Sequence, residues 1–147
     1  MSKNPALGAI AGLTLSLVAS SSNAATTVNV VLQDPSTGNG VTKMELIPSP
    51  DHAKAGRITF AIHNESKGLV HEMLLIKAPP PGQQLPYDAK SQRLIEANVV
   101  KLEDSDDVQP GKSVTKTVRV PPGQYLMVCN QEGHFMQGMS HPFLVTK

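Results

Sequence analysis

The chain has no tryptophan, three phenylalanines and two tyrosines, so aliphatic side chains and methionine must fill any core it builds. It has one cysteine, Cys129, and therefore no internal disulfide. It has almost no net charge, with 13 basic against 12 acidic residues, which argues against nucleic acid or an anionic membrane as a partner. Beyond residue 24 it has no apolar run approaching the roughly 20 residues that cross a bilayer. It also lacks a Ser-His-Asp set, a phosphate-binding glycine loop and any internal repeat, and an enzyme is not expected.

The first residues are of a different kind from the rest. Lys3 precedes an uncharged apolar run, Ala6 to Ala19; Ser20 to Asn23 are polar, and Ala24 with Ser22 offers a small-residue cleavage site. This is the layout of a secretory signal peptide. It predicts a signal peptide over 1–24, a single domain over 25–147 and a periplasmic location. Loss of Lys3 leaves equal numbers of basic and acidic residues. In an oxidising compartment cysteines pair, and an unpaired thiol such as Cys129 is a hazard unless something occupies it. A metal is the simplest occupant.

The mature chain reads as short strands between turn signals. Gly56–His63 alternates most clearly, with Ile58, Phe60 and Ile62 on one face and Arg57, Thr59, Ala61 and His63 on the other, the period of a half-buried strand. Similar patterns predict strands at Val28–Leu32, Val41–Ile47, Leu69–Lys77, Ser113–Val120, Gln124–Asn130 and Pro142–Thr146. Ala78–Gly82 breaks the pattern, and Asp88–Ala97 reads as a short helix with Asp88 as its N-cap. Glu103–Asp107 reads as a solvated acidic turn without the spacing of a calcium loop. The expected class is all-β, an antiparallel sandwich with one short helix in an inserted segment that lies over one side.

The segment that carries chemistry is Cys129-Asn-Gln-Glu-Gly-His134-Phe-Met-Gln-Gly-Met139. It brings a thiol, an imidazole and a thioether within eleven residues, and Gly133 and Gly138 permit the turns that would fold them together. One thiolate and two imidazoles with a weak thioether form the ligand set of a blue-copper electron-transfer site. The second imidazole must come from elsewhere. His71 is the best candidate, because His63 follows the polar face of its strand. Met139 is favoured over Met136, which lies only two residues after His134. His52 and His141 read as surface residues. Zinc is disfavoured, since structural zinc sites normally have no thioether ligand.

The same stretch resembles the copper loop of the cupredoxins, its four-residue gaps around His134 being most similar to the auracyanin and rusticyanin type. Pro121-Pro122-Gly123-Gln124-Tyr125, and Phe60–Asn64 followed by His71, resemble the family's approach strands. The resemblance covers roughly residues 56–147. It implies a Greek-key sandwich holding one copper ion, with ring nitrogens from His71 and His134, the thiolate of Cys129 and a long axial sulfur from Met139. It implies transfer of single electrons to a redox partner that docks transiently near His134, by way of Phe135, Met136 and Pro142, and a monomer. Glu72 and Asn130 stand where many members have a mutually bracing pair, so a Glu72–Asn130 hydrogen bond is expected. The alternative is a periplasmic copper chaperone, buffer or resistance protein using the same donors.

Overall fold

The computed structural model describes residues 25–147; the signal peptide expected over 1–24 lies outside them. Among the described residues the strands are β1 (Thr26–Gln33), β2 (Glu45–Ser49), β3 (His52–Lys54), β4 (Gly56–Asn64), β5 (Leu74–Lys77), β6 (Tyr87–Asp88), β7 (Arg93–Leu94), β8 (Lys101–Asp104), β9 (Ser113–Val120), β10 (Gly123–Val128) and β11 (Ser140–Thr146). One sheet has the order β2-β1-β4-β9 and the other β3-β11-β10-β5-β8, while β6 and β7 form a separate small hairpin. The pairing is mostly antiparallel, but β1 runs parallel to β4 and β3 parallel to β11. No helix of the described residues is long and apolar enough to cross a membrane.

Strand alternation places the core. In β4, Ile58, Phe60 and Ile62 are buried while the residues between them are half-buried. They meet Val28, Val30 and Leu32 from β1, and Leu75, Met127, Phe143 and Val145 from the facing sheet. The two sheets are stitched by an edge-to-face contact of Phe60 with Phe143, centroids 5.8 Å apart, a favoured arrangement of aromatic rings. The scarcity of aromatics is met by Met73, Met127 and Met139, all fully buried, whose flexible side chains fill irregular space. The second face of the β5 sheet is also covered. Leu74, Ile76 and Val128 pack with Leu94, Leu85, Tyr87 and Val99 of the inserted segment, which thus lies over one side of the sandwich as expected.

Several expected boundaries move, each for a local reason. The helix expected over Asp88–Ala97 does not form. Asp88 instead holds a turn, accepting hydrogen bonds from the Lys90 amide at 3.0 Å and the Ser91 hydroxyl at 2.8 Å. The Leu94 amide and carbonyl are taken by the Asn130 side chain, so they are not free for helical partners, and only a 3₁₀ turn at Glu96–Asn98 remains. The strand expected from Leu69 starts at Leu74. Before it, the Glu72 amide points at the Cys129 sulfur and the Met73 amide donates to the Ser105 hydroxyl, which leaves no donors for a ladder. The acidic segment is only partly a free turn, because Lys101–Asp104 pairs with β5 as an edge strand. The second strand runs through Pro48, which an edge position tolerates.

β4 ends on a buried polar residue that shapes the approach to His71. Asn64 is fully buried; its side-chain amide donates to the carbonyls of Leu69 at 2.9 Å and Val108 at 2.8 Å, and its oxygen accepts from the Ser66 amide at 2.9 Å. Asn64→Ala leaves the Leu69 carbonyl and the Ser66 amide without partners and takes one of two from the Val108 carbonyl, which keeps the His71 amide, at about 1–3 kcal/mol for each orphaned group that water cannot reach. The expected outcome is a loss of at least about 2 kcal/mol in urea unfolding. An unchanged midpoint would show that the loop before His71 does not depend on Asn64.

Candidate metal centre

Cys129 follows β10 directly, fully buried in the main core. Its amide donates to the Met139 carbonyl at 3.0 Å, and the Met139 amide donates to the His134 carbonyl at 3.1 Å, so the three residues of the loop are tied backbone to backbone. Gly133 and Gly138 both adopt positive φ, 77° and 91°, where a side chain would be strained. The loop closes as the glycines implied. Met139 is fully buried, whereas Met136 is 65% exposed.

His71 arrives on the segment before β5, whose first residue Leu74 pairs with Val128 beside Cys129. A two-way backbone bridge with Val108 fixes it, at 3.2 and 2.7 Å. Its ring is fully buried, and its Nε2 lies 2.8 Å from Asp34 Oδ2. A carboxylate can only accept, so Nε2 carries the proton and the Nδ1 lone pair is free. That nitrogen faces His134 Nδ1 at 3.1 Å and the Cys129 sulfur at 3.9 Å, and His134 Nδ1 lies 3.4 Å from the same sulfur. Among the described residues this is the one group of three such donors close enough to share a metal ion. A point in the plane of these atoms lies about 2 Å from each, the bond length of a first-row metal to imidazole nitrogen or thiolate sulfur. The donors fit a single trigonal metal ion.

The surrounding architecture is shared with proteins of known structure. Auracyanin from Roseiflexus castenholzii is 18% identical with a TM-score of 0.57, covering 85% of this chain and 100% of its own. Auracyanin A, described as a "blue" copper protein from Chloroflexus aurantiacus, is 18% identical with a TM-score of 0.56 over 84% of this chain and 100% of its own. Rusticyanin from Thiobacillus ferrooxidans is 20% identical with a TM-score of 0.56 over 84% of this chain and 79% of its own. No protein-family model and no curated protein sequence matches the chain.

The fold is that of the cupredoxins.

Within this cupredoxin sandwich, burial sets the protonation of the metal-free site. It pushes the Cys129 thiol up to about 12, against the opposing pull of the Glu72 and Gln131 amides. It lowers both imidazoles, His71 in spite of Asp34, and His134 with a further push from His71. The metal-free site is therefore a thiol and two neutral rings, and a metal must displace the thiol proton to gain its ligand. Burial alone would raise the Asp34 carboxyl, but the Ser66 and Ser36 hydroxyls, His71 and the Ser36 amide hold it at about 2.

The expected Glu72–Asn130 brace is not made. Asn130 turns outward to the inserted hairpin, accepting from the Leu94 amide at 2.6 Å and donating to the Leu94 carbonyl and the Glu96 carboxylate. Its amide pairs with both backbone groups of Leu94 and so takes the place of a neighbouring strand there. Arg93 donates to the Asn130 carbonyl at 2.8 Å, and the Gly133 amide donates to the Gln92 carbonyl at 2.9 Å. The inserted hairpin is thus the outer brace of the ligand loop. Glu72 keeps only its amide contact, 3.4 Å to the Cys129 sulfur, and its buried Oε1 has no partner.

The remaining sequence candidates fall outside the centre. His63 bonds Ser113 on the open sheet face, His52 pairs with exposed Asp51, and His141 meets the Pro142 carbonyl. Phe135 packs against Tyr87, centroids 6.3 Å apart, in the second core cluster, and Pro142 lies in β11 opposite Leu126. Asp34 and Arg93 were missed. Asp34 before Pro35 looked like an ordinary turn, and no local pattern reports that its loop folds under His71.

Glu72 offers a test in the metal-free protein. Burial first, then the carboxylates of Asp104, Glu96 and Asp107, push its carboxyl up to about 7 from 4.5. Between those values the native state holds a proton that the unfolded chain has released, so this group's contribution to stability falls as pH rises. Relative to Glu72→Gln, the wild type loses about 3 kcal/mol of stability between pH 4.5 and 7 and no more above it. Paired urea titrations measure this, and a pH-independent difference would contradict it.

Proposed function

We propose that this protein carries single electrons, holding one copper ion between His71, Cys129 and His134 with Met139 as a weak axial ligand. The observation that carries the reading is the buried triangle of two Nδ1 atoms and one sulfur with sides of 3.1, 3.4 and 3.9 Å. Two imidazoles and one thiolate in a trigonal array are the blue-copper set. Copper bound there supplies one-electron chemistry through Cu(II) and Cu(I).

The chain's own residues supply the rest. His71 and Cys129 are fully enclosed and His134 keeps 8% of its surface, so water is kept from the donors. The backbone ties from Cys129 to Met139 to His134, and the bridge from His71 to Val108, fix the donors before a metal arrives. A site fixed in this way rearranges little when an electron enters or leaves. Burial of Met139 beside Cys129 in the same core cluster supports Met139 over exposed Met136 as the thioether. The enclosure of the donors also favours a carrier over a chaperone, which must present its metal for transfer. The secretory layout of residues 1–24 supports export to a periplasm.

Addition of Cu(II) to residues 25–147 is expected to give an intense visible thiolate-to-copper band and a narrow copper hyperfine splitting. Cys129→Ser abolishes the band, and Met139→Leu keeps it while raising the reduction potential. Tight copper binding without the band in the wild type would favour copper handling over electron transfer. No specific binding would refute both.

His134 is the ligand nearest the surface, and the exposed large apolar side chain closest to it in sequence is Met136. A redox partner is proposed to dock there. Because Phe135 is occupied with Tyr87, Met136, with exposed Pro142 of β11, carries the apolar contact. Met136→Lys is expected to leave the visible spectrum intact and to slow electron self-exchange measured by nuclear magnetic resonance line broadening. An unaltered rate would remove Met136 from the electron path.

A further inference from the structure

Asp34 is 1% exposed, and its one ionic partner among the described residues is the His71 ring. No Lys or Arg of the described residues stands within salt-bridge distance of it. A buried carboxylate without a cation is costly, and a polypeptide retains one where a positive charge is supplied. Hydrogen bonds from Ser36, Ser66 and His71 keep this one charged, and the imidazole links it to the donor triangle. Oδ2 takes the Nε2 proton at 2.8 Å, and the opposite ring nitrogen is the one that joins the donor triangle.

The carboxylate itself is not free to move. Its Oδ1 accepts the Ser36 amide at 2.7 Å, and its own amide is paired with the Thr37 hydroxyl in a reciprocal cap of the turn Pro35–Thr37. The turn is fastened in turn to the loop before His71, through Ser36 Oγ to Ser66 Oγ at 2.9 Å and the Lys67 amide to Ser36 Oγ at 3.0 Å. Two loops separated by some thirty residues are thus joined so that one carboxylate oxygen meets one ring nitrogen.

We propose that Asp34 is a positioning residue for the copper centre: it locks His71 in the Nε2–H form with Nδ1 open to the metal, and its buried negative charge favours Cu(II) over Cu(I). This rests on the copper reading above. A carboxylate behind a ligating imidazole makes the ring a better donor, and it stabilises the dication more than the monocation because the added charge sits in a poorly screened interior. Residues holding ligands in this manner commonly alter metal affinity about 10–100-fold.

Asp34→Asn is nearly isosteric and removes the charge. The ratio of Cu(II) to Cu(I) affinity is expected to fall about tenfold or more, which for a one-electron couple raises the reduction potential by about 59 mV per tenfold. A purely structural role would lower the melting temperature and leave the potential unchanged. In the metal-free wild type, long-range ¹H–¹⁵N spectra are expected to show His71 protonated at Nε2. A folded Asp34→Asn protein with the wild-type potential would overturn the proposal. So would a His71 protonated at Nδ1, a result independent of whether the variant folds. A wild type that binds no copper would overturn the copper reading instead, and the role of Asp34 in orienting His71 would then be decided by the ring spectra alone.

Discussion

Three metal-binding atoms aimed at one point in a dry interior have few hydrogens to share among them, and one cation that displaces the thiol proton can satisfy all three. His71 Nδ1, His134 Nδ1 and the Cys129 sulfur stand in that relation, none more than 3.9 Å from another. The Glu72 amide reaches the sulfur at 3.4 Å, the Gln131 amide also favours its charged form, and the His71 proton is turned away to Asp34, so the thiol proton is the hydrogen that a metal must displace. The rest of the molecule can be understood as the scaffold that holds this arrangement.

Two kinds of restraint achieve this. The sandwich core fixes the strand ends: Phe60 against Phe143, the buried methionines, and Asn64 closing the turn before His71. The inserted hairpin fixes the ligand loop from outside, through Arg93, Gln92 and the contacts of Leu94 with Asn130. Neither restraint uses a disulfide, which one cysteine cannot form, and the same cysteine becomes available as the ligand. The absence of paired cysteines and the presence of the site are two sides of one allocation.

The sandwich was legible because β4 and its neighbours alternate at period two, and the donor loop was legible because Cys129, His134, Met139 and two glycines crowd into one short segment. His71 was legible only as a requirement for a second imidazole, supported by its place at the start of an expected strand and by the resemblance of Phe60–Asn64 followed by His71 to the family's approach strand. What was not legible depends on tertiary neighbours. The Asp88–Ala97 pattern suited a helix until the Asn130 side chain occupied the Leu94 amide and carbonyl. The Glu72–Asn130 brace failed for the same reason, since Asn130 has one side chain and the hairpin uses it. Asp34 gave no signal at all: Asp before Pro is a common turn, and only the fold reveals that the turn sits under a buried imidazole.

The central claim is that these three residues hold one copper ion in an array that is already set in the polypeptide. X-ray absorption at the copper edge of the loaded protein tests it most directly, in both oxidation states. The account predicts two nitrogen and one sulfur neighbours at about 2 Å, with little change in these distances on reduction. A shell of nitrogen and oxygen without sulfur, or a set of distances that lengthens markedly when the electron is added, would contradict it.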